Sequence, residues 1–153
     1  MRKATLVTEQ AWIVSFSYPA KFTADKDGGY VVTFRNVPEA ITQGETVEEC
    51  RDQAAGALQA AIELYIKFRM AIPAPSDKKR GEHMIPLPAR TALKAAVYLG
   101  MAARRMTNTA LAKAMHINEK EVRRMLDIKH PTKVEKLEEA LAVLGRNVEI
   151  HFH

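Results

Sequence analysis

The chain has 153 residues, of which 47% are hydrophobic and 27% charged, a composition typical of one globular domain or two small ones. No run of about 18 apolar residues is present. The first residues are too polar for a secretory signal, so we expect a cytoplasmic protein without a membrane span. The single cysteine, Cys50, excludes an internal disulfide.

The net charge of +5 is unevenly distributed. Residues 1–75 hold 8 basic and 9 acidic side chains, whereas residues 76–153 hold 15 and 9. This asymmetry favours a polyanionic partner for the second half, although a solvated basic surface would give the same counts.

Prolines, a glycine and a charge run between the halves predict a boundary near residues 74–83. We therefore expect a domain over residues 1–75, a linker over 76–88 and a second domain over 89–153. The linker has room for a short extra strand within GEHMIPLP. Its stretch Asp77–Gly81 is expected to be flexible and open to proteolysis.

The first domain begins with alternating apolar side chains, which predict one strand through residues 12–18. ADKDGG supplies the positive φ angles of a hairpin turn and leads into a second strand over 30–35. A third strand is expected over 40–43.

A long helix is predicted over residues 46–70. Thr46 and Glu49 have the spacing of a capping box at its start. Apolar residues then recur at helical spacing as far as Phe68, which predicts a stripe packed on the sheet.

Several short motifs follow one another in an order that resembles the N-terminal domain of HicB-family antitoxins. They are Tyr18-Pro19, Gly28-Gly29-Tyr30, Thr42-Gln43-Gly44-Glu45-Thr46 and Pro73-Ala74-Pro75-Ser76. The resemblance covers roughly residues 16–87 and implies a partial RNase H-like β-β-β-α layer. It also implies binding and blocking of a small RNA-cleaving toxin, HicA. The exposed residues of the hairpin and of the nearby helix start are the candidate toxin surface.

RNase H ancestry raises the alternative of a metal-dependent nuclease. That chemistry needs several carboxylates converging on Mg²⁺. Asp25 and Asp27 instead occupy a turn, and Glu48, Glu49 and Asp52 lie where the helix dipole favours acids. We therefore predict no enzyme activity, no metal and no cofactor.

The second half begins with a helical pattern from Ala89, with Arg90, Lys94 and Arg104 expected to point outward. Two short helical patterns follow, interrupted at His116-Ile117. Ala112 supplies the small side chain that two steeply crossing helices need at their contact. Asn118 and Glu121 have the spacing of a capping box for the second of these helices.

This pattern resembles the helix-turn-helix of the Cro and phage-repressor class. In that class the turn position held by His116 is usually glycine, because the backbone there is left-handed. The resemblance implies that the second helix enters the DNA major groove and that neighbouring residues contact phosphate. The predicted DNA-binding residues are Thr107, Asn108, Thr109, Asn118, Glu119, Lys120, Arg123, Arg124, Lys129 and Lys133.

A last helix is predicted after Pro131, with Thr132 and Glu135 as its capping box and a core stripe from Val134 to Leu144. Residues 146–153 then alternate apolar and polar side chains, which predicts a strand. Because a helical bundle has no sheet for it to join, we expect Val148, Ile150 and Phe152 to pair with a second copy of the chain. Pairing within the same chain is the alternative.

The fold expected is α+β, in which the partial RNase H-like layer precedes an all-α helix-turn-helix domain with a C-terminal strand. The function expected is an antitoxin that neutralises a HicA-type toxin, represses its own operon on operator double-stranded DNA and acts as a dimer or tetramer. A stand-alone transcriptional regulator with a ligand- or protein-sensing N-terminal domain is one alternative. An RNase H-derived nuclease is the other.

Overall fold

The computed structural model describes the backbone of residues 5–8, 11–13 and 15–152 and the side chains of residues 15–152. The chain divides into two compact units, Met1–Pro88 and Ala89–His153. Within the described residues, no helix is both long and apolar enough to cross a membrane.

The first unit is an antiparallel sheet with one helix. Its described elements are β1 (Thr5–Thr8), β2 (Ala11–Ile13), β3 (Ser17–Ala24), β4 (Tyr30–Phe34), β5 (Ile41–Gly44), α1 (Val47–Lys67) and β6 (Glu82–Pro86). β1 and β2 pair with each other, and the other four strands form a sheet in the order β5-β4-β3-β6.

The single strand predicted over residues 12–18 was wrong, because the chain uses this stretch for two strands in different sheets. β2 ends at Ile13, and β3 begins at Ser17 and runs on to Ala24. The side chains of Trp12 and Val14 lie outside the described residues. β4 and β5 lie close to the predicted positions.

Two glycines of the sequence motifs are explained by close packing beside the sheet. Gly29 follows the hairpin turn with a φ of +70°, and a Cβ there would lie 2.6 Å from the carbonyl oxygen of Gly44. A Cβ on Gly44 would lie 2.9 Å from the sulfur of Cys50. Only glycine permits the turn and the helix start to approach each other so closely.

Helix α1 begins with a cap that differs slightly from the prediction. The Thr46 hydroxyl accepts from the amide of Glu49 at 3.1 Å, as expected. The Glu49 carboxylate accepts from the amide of Glu45 at 3.0 Å instead of returning to Thr46. One face of the helix is buried from Cys50 to Ile66.

The helix ends three residues earlier than predicted. Arg69 has a φ of +55°, and the amide of Met70 donates to the carbonyl of Tyr65 at 2.8 Å, which is the pattern of a left-handed helix termination. Phe68 therefore lies beyond the last turn and is 64% exposed, so its assignment to the buried stripe was wrong.

Residues 76–88 belong to the first unit because β6 pairs with β3. Arg35, next to β4, holds the preceding segment. Its guanidinium contacts the Glu82 carboxylate at 2.9 and 3.0 Å, the Asp77 carbonyl at 2.6 Å and the Ser76 hydroxyl. The stretch expected to be a flexible linker is thus hydrogen-bonded to the sheet of its own unit.

The second unit is a bundle of four helices in its described part. These are α2 (Ala89–Ala103), α3 (Asn108–Met115), α4 (Glu119–Leu126) and α5 (Val134–Val143). Its core is made of aliphatic and methionine side chains from all four helices, namely Val97, Met101, Leu111, Ala112, Val122, Met125, Leu137, Ala140, Leu141 and Leu144. Burial of these groups is the main stabilising term for the bundle.

Two local predictions for the last helix were wrong. Lys133, not Thr132, is the N-cap of α5, and it makes no side-chain cap. The Thr132 hydroxyl instead donates to the carbonyl of Arg124 at 3.2 Å, which removes it from the helix start. Val134 is 39% exposed and lies outside the core.

The predicted strand over residues 146–153 is absent from the part that the structure describes, since residues 146–152 form no regular element. Pairing within the same chain is therefore not seen for these residues. Pairing with a second copy stays a prediction, because one chain alone does not test it.

Candidate nucleic-acid interface

The α3–α4 pair is built by a short turn with a left-handed residue. His116 has φ 56° and ψ 41°, and the amide of Ile117 donates to the carbonyl of Ala112 at 3.0 Å. This geometry ends α3 and redirects the chain within three residues. The left-handed conformation predicted for this position is therefore present, although a side chain with a Cβ makes it unfavourable.

Both helices of this pair are capped by their own side chains. The Thr107 hydroxyl accepts from the amide of Ala110 at 3.1 Å and starts α3. At the start of α4, the Asn118 side chain accepts from the amide of Lys120 at 2.8 Å. The Glu121 carboxylate accepts from the amide of Asn118 at 3.2 Å. The predicted capping box is present. The box provides acceptors for amides that have no partner within the helix, which matters in a helix of only eight residues.

Packing against the bundle determines which face of α4 is exposed. Val122 and Met125 are buried, and Ala112 of α3, which is 4% exposed, belongs to the same hydrophobic core. The opposite side of α4 carries the exposed side chains of Lys120, Arg123 and Arg124. A cationic surface is therefore displayed by a helix whose other face is anchored.

Glu119 is the acidic member of this surface and binds two of its neighbours. Its carboxylate pairs with Arg123 at 3.1 Å, one helical turn away. It also accepts from the hydroxyl of Thr109 on α3 at 3.2 Å. The starts of the two helices are thereby joined by one carboxylate.

The remaining predicted residues lie at the two ends of the α3–α4 pair. Thr107 and Asn118 are exposed caps, and Asn108 is half-buried in the first turn of α3. Lys129 and Lys133 are exposed in the turn between α4 and α5. These two lysines flank Thr132, which is buried.

Lys94 was missed by the sequence prediction, which pointed it outward. It is completely buried on α2, and its ammonium donates to the carbonyls of Arg124, Asp127 and His130 at 2.5 to 3.1 Å. Its position three residues before Val97 and seven before Met101 places it on the core face. That spacing was the available signal, but a lysine is rarely assigned to a core.

The net charge of the molecule lies in the second unit. Residues 1–88 hold 11 basic and 11 acidic side chains, whereas residues 89–153 hold 12 and 7, a net of +5. Such an excess attracts polyanions at long range. Within residues 15–152, no group of three or more His, Cys, Asp or Glu side chains is arranged to hold a metal ion.

The first unit has equal numbers of basic and acidic side chains and also displays several large apolar ones. Ile41 on β5 is 62% exposed, and Leu64, Phe68 and Met70 at the end of α1 are 46 to 64% exposed. Large exposed apolar groups at adjacent helical positions are typical of protein-binding surfaces. Leu64, Phe68 and Met70 lie at the opposite end of α1 from the helix start named as the candidate toxin surface.

Comparison with known proteins shows which family the chain is similar to. A family model described as a HicB_like antitoxin of bacterial toxin-antitoxin systems matches residues 17–96. "Antitoxin HicB 2" of Photorhabdus laumondii is 36% identical over 133 residues, which cover 87% of this chain and 94% of that protein. "Antitoxin HicB" of Escherichia coli K12 is 32% identical, over 87% and 96% of the two chains.

A third relative, "Antitoxin HicB" of Pseudomonas fluorescens, is 28% identical over 88% of this chain and 92% of its own length. The chain belongs to the HicB-like antitoxin family of bacterial toxin–antitoxin systems. Membership implies a toxin partner and indicates a regulatory role instead of a catalytic one.

Proposed function

We propose that this chain neutralises a HicA-type RNA-cleaving toxin through its first unit and represses its own operon through its second. The α3–α4 pair acts as a helix-turn-helix, with α4 as the recognition helix. DNA binding is supported mainly by the exposed cationic face of α4. The opposite face of this helix is buried in the bundle, and the unit as a whole has a net charge of +5. This is the arrangement that a major-groove reader requires.

Base reading is assigned to the exposed side of α4. Lys120, Arg123 and Arg124 carry donors suited to guanine O6 and N7, and Glu119 carries an acceptor suited to the cytosine amino group. Asn118 lies at the start of the same helix. A base pair would have to replace the bonds that Glu119 makes in the free chain, to Arg123 and Thr109.

Phosphate contacts are assigned to the two ends of the α3–α4 pair. Thr107, Asn108 and Thr109 lie at the start of α3, where the helix dipole and free amides favour an anion. Lys129 and Lys133 supply charge from the turn after α4. Contacts of this kind position the protein on DNA without reading its sequence.

Dimerisation is assigned to the C-terminal segment. Val148, Ile150 and Phe152 are 40, 74 and 92% exposed and alternate with polar residues. A strand formed with a second copy would bury these groups and satisfy its backbone. The resulting twofold symmetry would place two recognition helices about one DNA turn apart.

The toxin is assigned to the first unit because that unit carries most of the family match, which spans residues 17–96, and has no net charge. A neutral surface with exposed apolar groups suits a protein partner better than a nucleic acid. The exposed side chains at the end of α1, Leu64, Phe68 and Met70, are included in this surface.

Co-expression with the product of the adjacent short reading frame tests the proposal. We expect the two proteins to copurify, the neighbour alone to cleave RNA, and an equimolar amount of this chain to stop the cleavage. A reporter driven by the operon's own promoter should be repressed by this chain. Failure of the proteins to associate would contradict the toxin assignment, and an unrepressed reporter would contradict the DNA assignment. Robust RNA cleavage by this chain alone with Mg²⁺ or Mn²⁺ would contradict the antitoxin assignment and favour the nuclease alternative.

A further inference from the structure

Lys94 is a charged side chain enclosed entirely within the second unit. Its ammonium donates to the carbonyl of Arg124 at 3.1 Å, of Asp127 at 2.5 Å and of His130 at 2.7 Å. An ammonium has three donor hydrogens, so these three acceptors satisfy it completely. The burial of its charge is tolerated because every donor finds a partner.

The three carbonyls belong to one region of the bundle. Arg124 and Asp127 lie at the C-terminal end of α4, where the helix dipole favours a cation. Their carbonyls also accept from the backbone amides of Asp127 and His130 at 3.2 and 3.1 Å, so the Lys94 ammonium adds a further donor to each. His130 lies in the turn that leads to α5. One side chain of α2 therefore caps α4 and holds the turn that follows.

Other bonds continue from this centre through the turn. The Asp127 carboxylate accepts from the amide of Lys129 at 3.0 Å, and the Thr132 hydroxyl donates to the carbonyl of Arg124 at 3.2 Å. Lys129 and Lys133, the two lysines assigned to phosphate, lie within or beside this network. The shape of the turn that presents them depends on carbonyls that Lys94 holds.

We propose that Lys94 is a positioning residue for DNA binding, whose buried ammonium holds the 127–133 turn in the shape in which Lys129 and Lys133 contact phosphate. The inference rests on the proposed function, since it concerns the same DNA interface. Lys94 itself is buried and touches no nucleic acid. Its effect passes through the backbone of the turn.

The salt dependence of binding distinguishes this role from simple stabilisation. The logarithm of the binding constant falls against the logarithm of salt concentration with a slope of about −0.9 for each phosphate neutralised. For Lys94→Met, which preserves the length of the side chain, we expect a slope shallower by about 1 to 2. The matched control Lys113→Met removes an exposed lysine of α3 and should leave the slope unchanged.

A combined variant tests whether Lys94 acts through the two lysines. The double variant Lys129→Met with Lys133→Met removes the phosphate contacts directly. Adding Lys94→Met to it should cause no further change of slope if the three residues act as a unit. An additional, independent loss would contradict the inference.

The protonation state of Lys94 provides a second measurement, made on the unmodified protein. This measurement remains informative if the Lys94→Met variant does not fold. Burial lowers the pKa of Lys94 to about 8. Raising the pH from 7 to 9 therefore removes most of its charge. The charges that influence it are those of Asp127 and Arg90. Carboxylates and guanidinium groups keep their charge in this interval, and histidine side chains in general titrate mainly below it.

The direction in which pH changes the stability of the fold distinguishes a loss of binding from a loss of folding. Because the folded chain releases this proton at a lower pH than the unfolded chain, the contribution of Lys94 to the free energy of unfolding increases as the pH rises from 7 to 9. A weaker salt dependence of binding over this range therefore does not result from unfolding through this group. We expect the wild-type slope to become shallower over this range and the slope of the Lys129→Met, Lys133→Met variant to stay constant. A wild-type slope independent of pH, or an unchanged slope in folded Lys94→Met, would overturn the inference. Absence of wild-type operator binding would instead contradict the proposed function.

Discussion

The carboxylate of Glu119 accepts a hydrogen bond from the hydroxyl of Thr109 at 3.2 Å and so joins the first turn of α4 to the first turn of α3. The same carboxylate pairs with Arg123 at 3.1 Å. Thr109 and Arg123 are assigned to phosphate and to base edges, respectively. In the free chain, Glu119 therefore competes with DNA for both groups.

Glu119→Gln should increase binding to DNA of arbitrary sequence and reduce sequence discrimination. The substitution removes a negative charge that repels phosphate and releases Arg123, but a glutamine amide reads cytosine less selectively. We expect the ratio of specific to non-specific affinity to fall about tenfold, which corresponds to roughly one base contact. Fluorescence anisotropy with operator and shuffled duplexes measures this ratio.

Glu138→Gln is the matched control for that experiment, because Glu138 is exposed on α5 and loses the same charge. It should leave the ratio unchanged. A ratio that falls equally in both variants would mean that net charge, and not the position of Glu119, controls discrimination.

His116→Gly should stabilise the second unit. The residue is held at φ 56°, where a Cβ is unfavourable and glycine is not. The gain is expected to be about 0.5–1 kcal/mol after the greater chain entropy of glycine is subtracted. Ala114→Gly, two residues earlier in the helical part of α3, should instead destabilise by about 1 kcal/mol. Urea unfolding followed by circular dichroism measures both, and a loss of stability in His116→Gly would contradict the assignment of strain.

Arg35→Ala should open the segment before β6 to proteolysis. Arg35 connects Glu82 on β6 with the carbonyl of Asp77 and the hydroxyl of Ser76. Without it, Lys78, Lys79 and Arg80 should become better trypsin sites, because cleavage requires local opening. We expect cleavage in this segment to be several-fold faster, as measured by mass spectrometry over time. Arg69→Ala, at an exposed arginine, should leave the rate unaffected, and equal rates in all three proteins would show that Arg35 does not restrain the segment.

Phe68→Asp should weaken toxin binding about tenfold or more, since an exposed aromatic side chain that becomes buried in a complex contributes strongly to affinity. Phe68 is 64% exposed beside Leu64 on α1. Ala74→Asp adds the same charge to an exposed position of the same unit, outside both the apolar patch and the helix start, and should have little effect. Isothermal titration with the purified toxin measures the affinities. Unchanged toxin affinity together with a loss of self-association in gel filtration would assign the patch to a second copy of the chain.

Features set by neighbouring residues were predictable from the sequence. The Asn118 and Glu121 cap and the left-handed conformation of His116 both depend on spacings of a few residues. Hairpin turn residues and apolar periodicity likewise placed β4, β5 and most of α1. Short-range physics determines these features, so a local pattern is enough to find them.

Features that depend on distant partners were not predictable in this way. Lys94 is buried because three carbonyls located 30 to 36 residues later surround it. Thr132 leaves its expected capping position because its hydroxyl reaches the carbonyl of Arg124. Arg35 holds residues that follow it by more than 40 positions. In each case the position of the side chain is determined by a tertiary hydrogen bond, which local sequence patterns do not reveal.

Binding of the intact chain to DNA from its own promoter tests the central claim most directly. Fluorescence anisotropy should show at least about a thousandfold preference for that duplex over a shuffled one. Arg123→Ala should weaken operator binding by about 5- to 150-fold, the range for one lost base contact, with an unchanged circular dichroism spectrum. Equal affinity of the wild-type chain for both duplexes, or full operator affinity in Arg123→Ala, would contradict the assignment of α4 as the recognition helix.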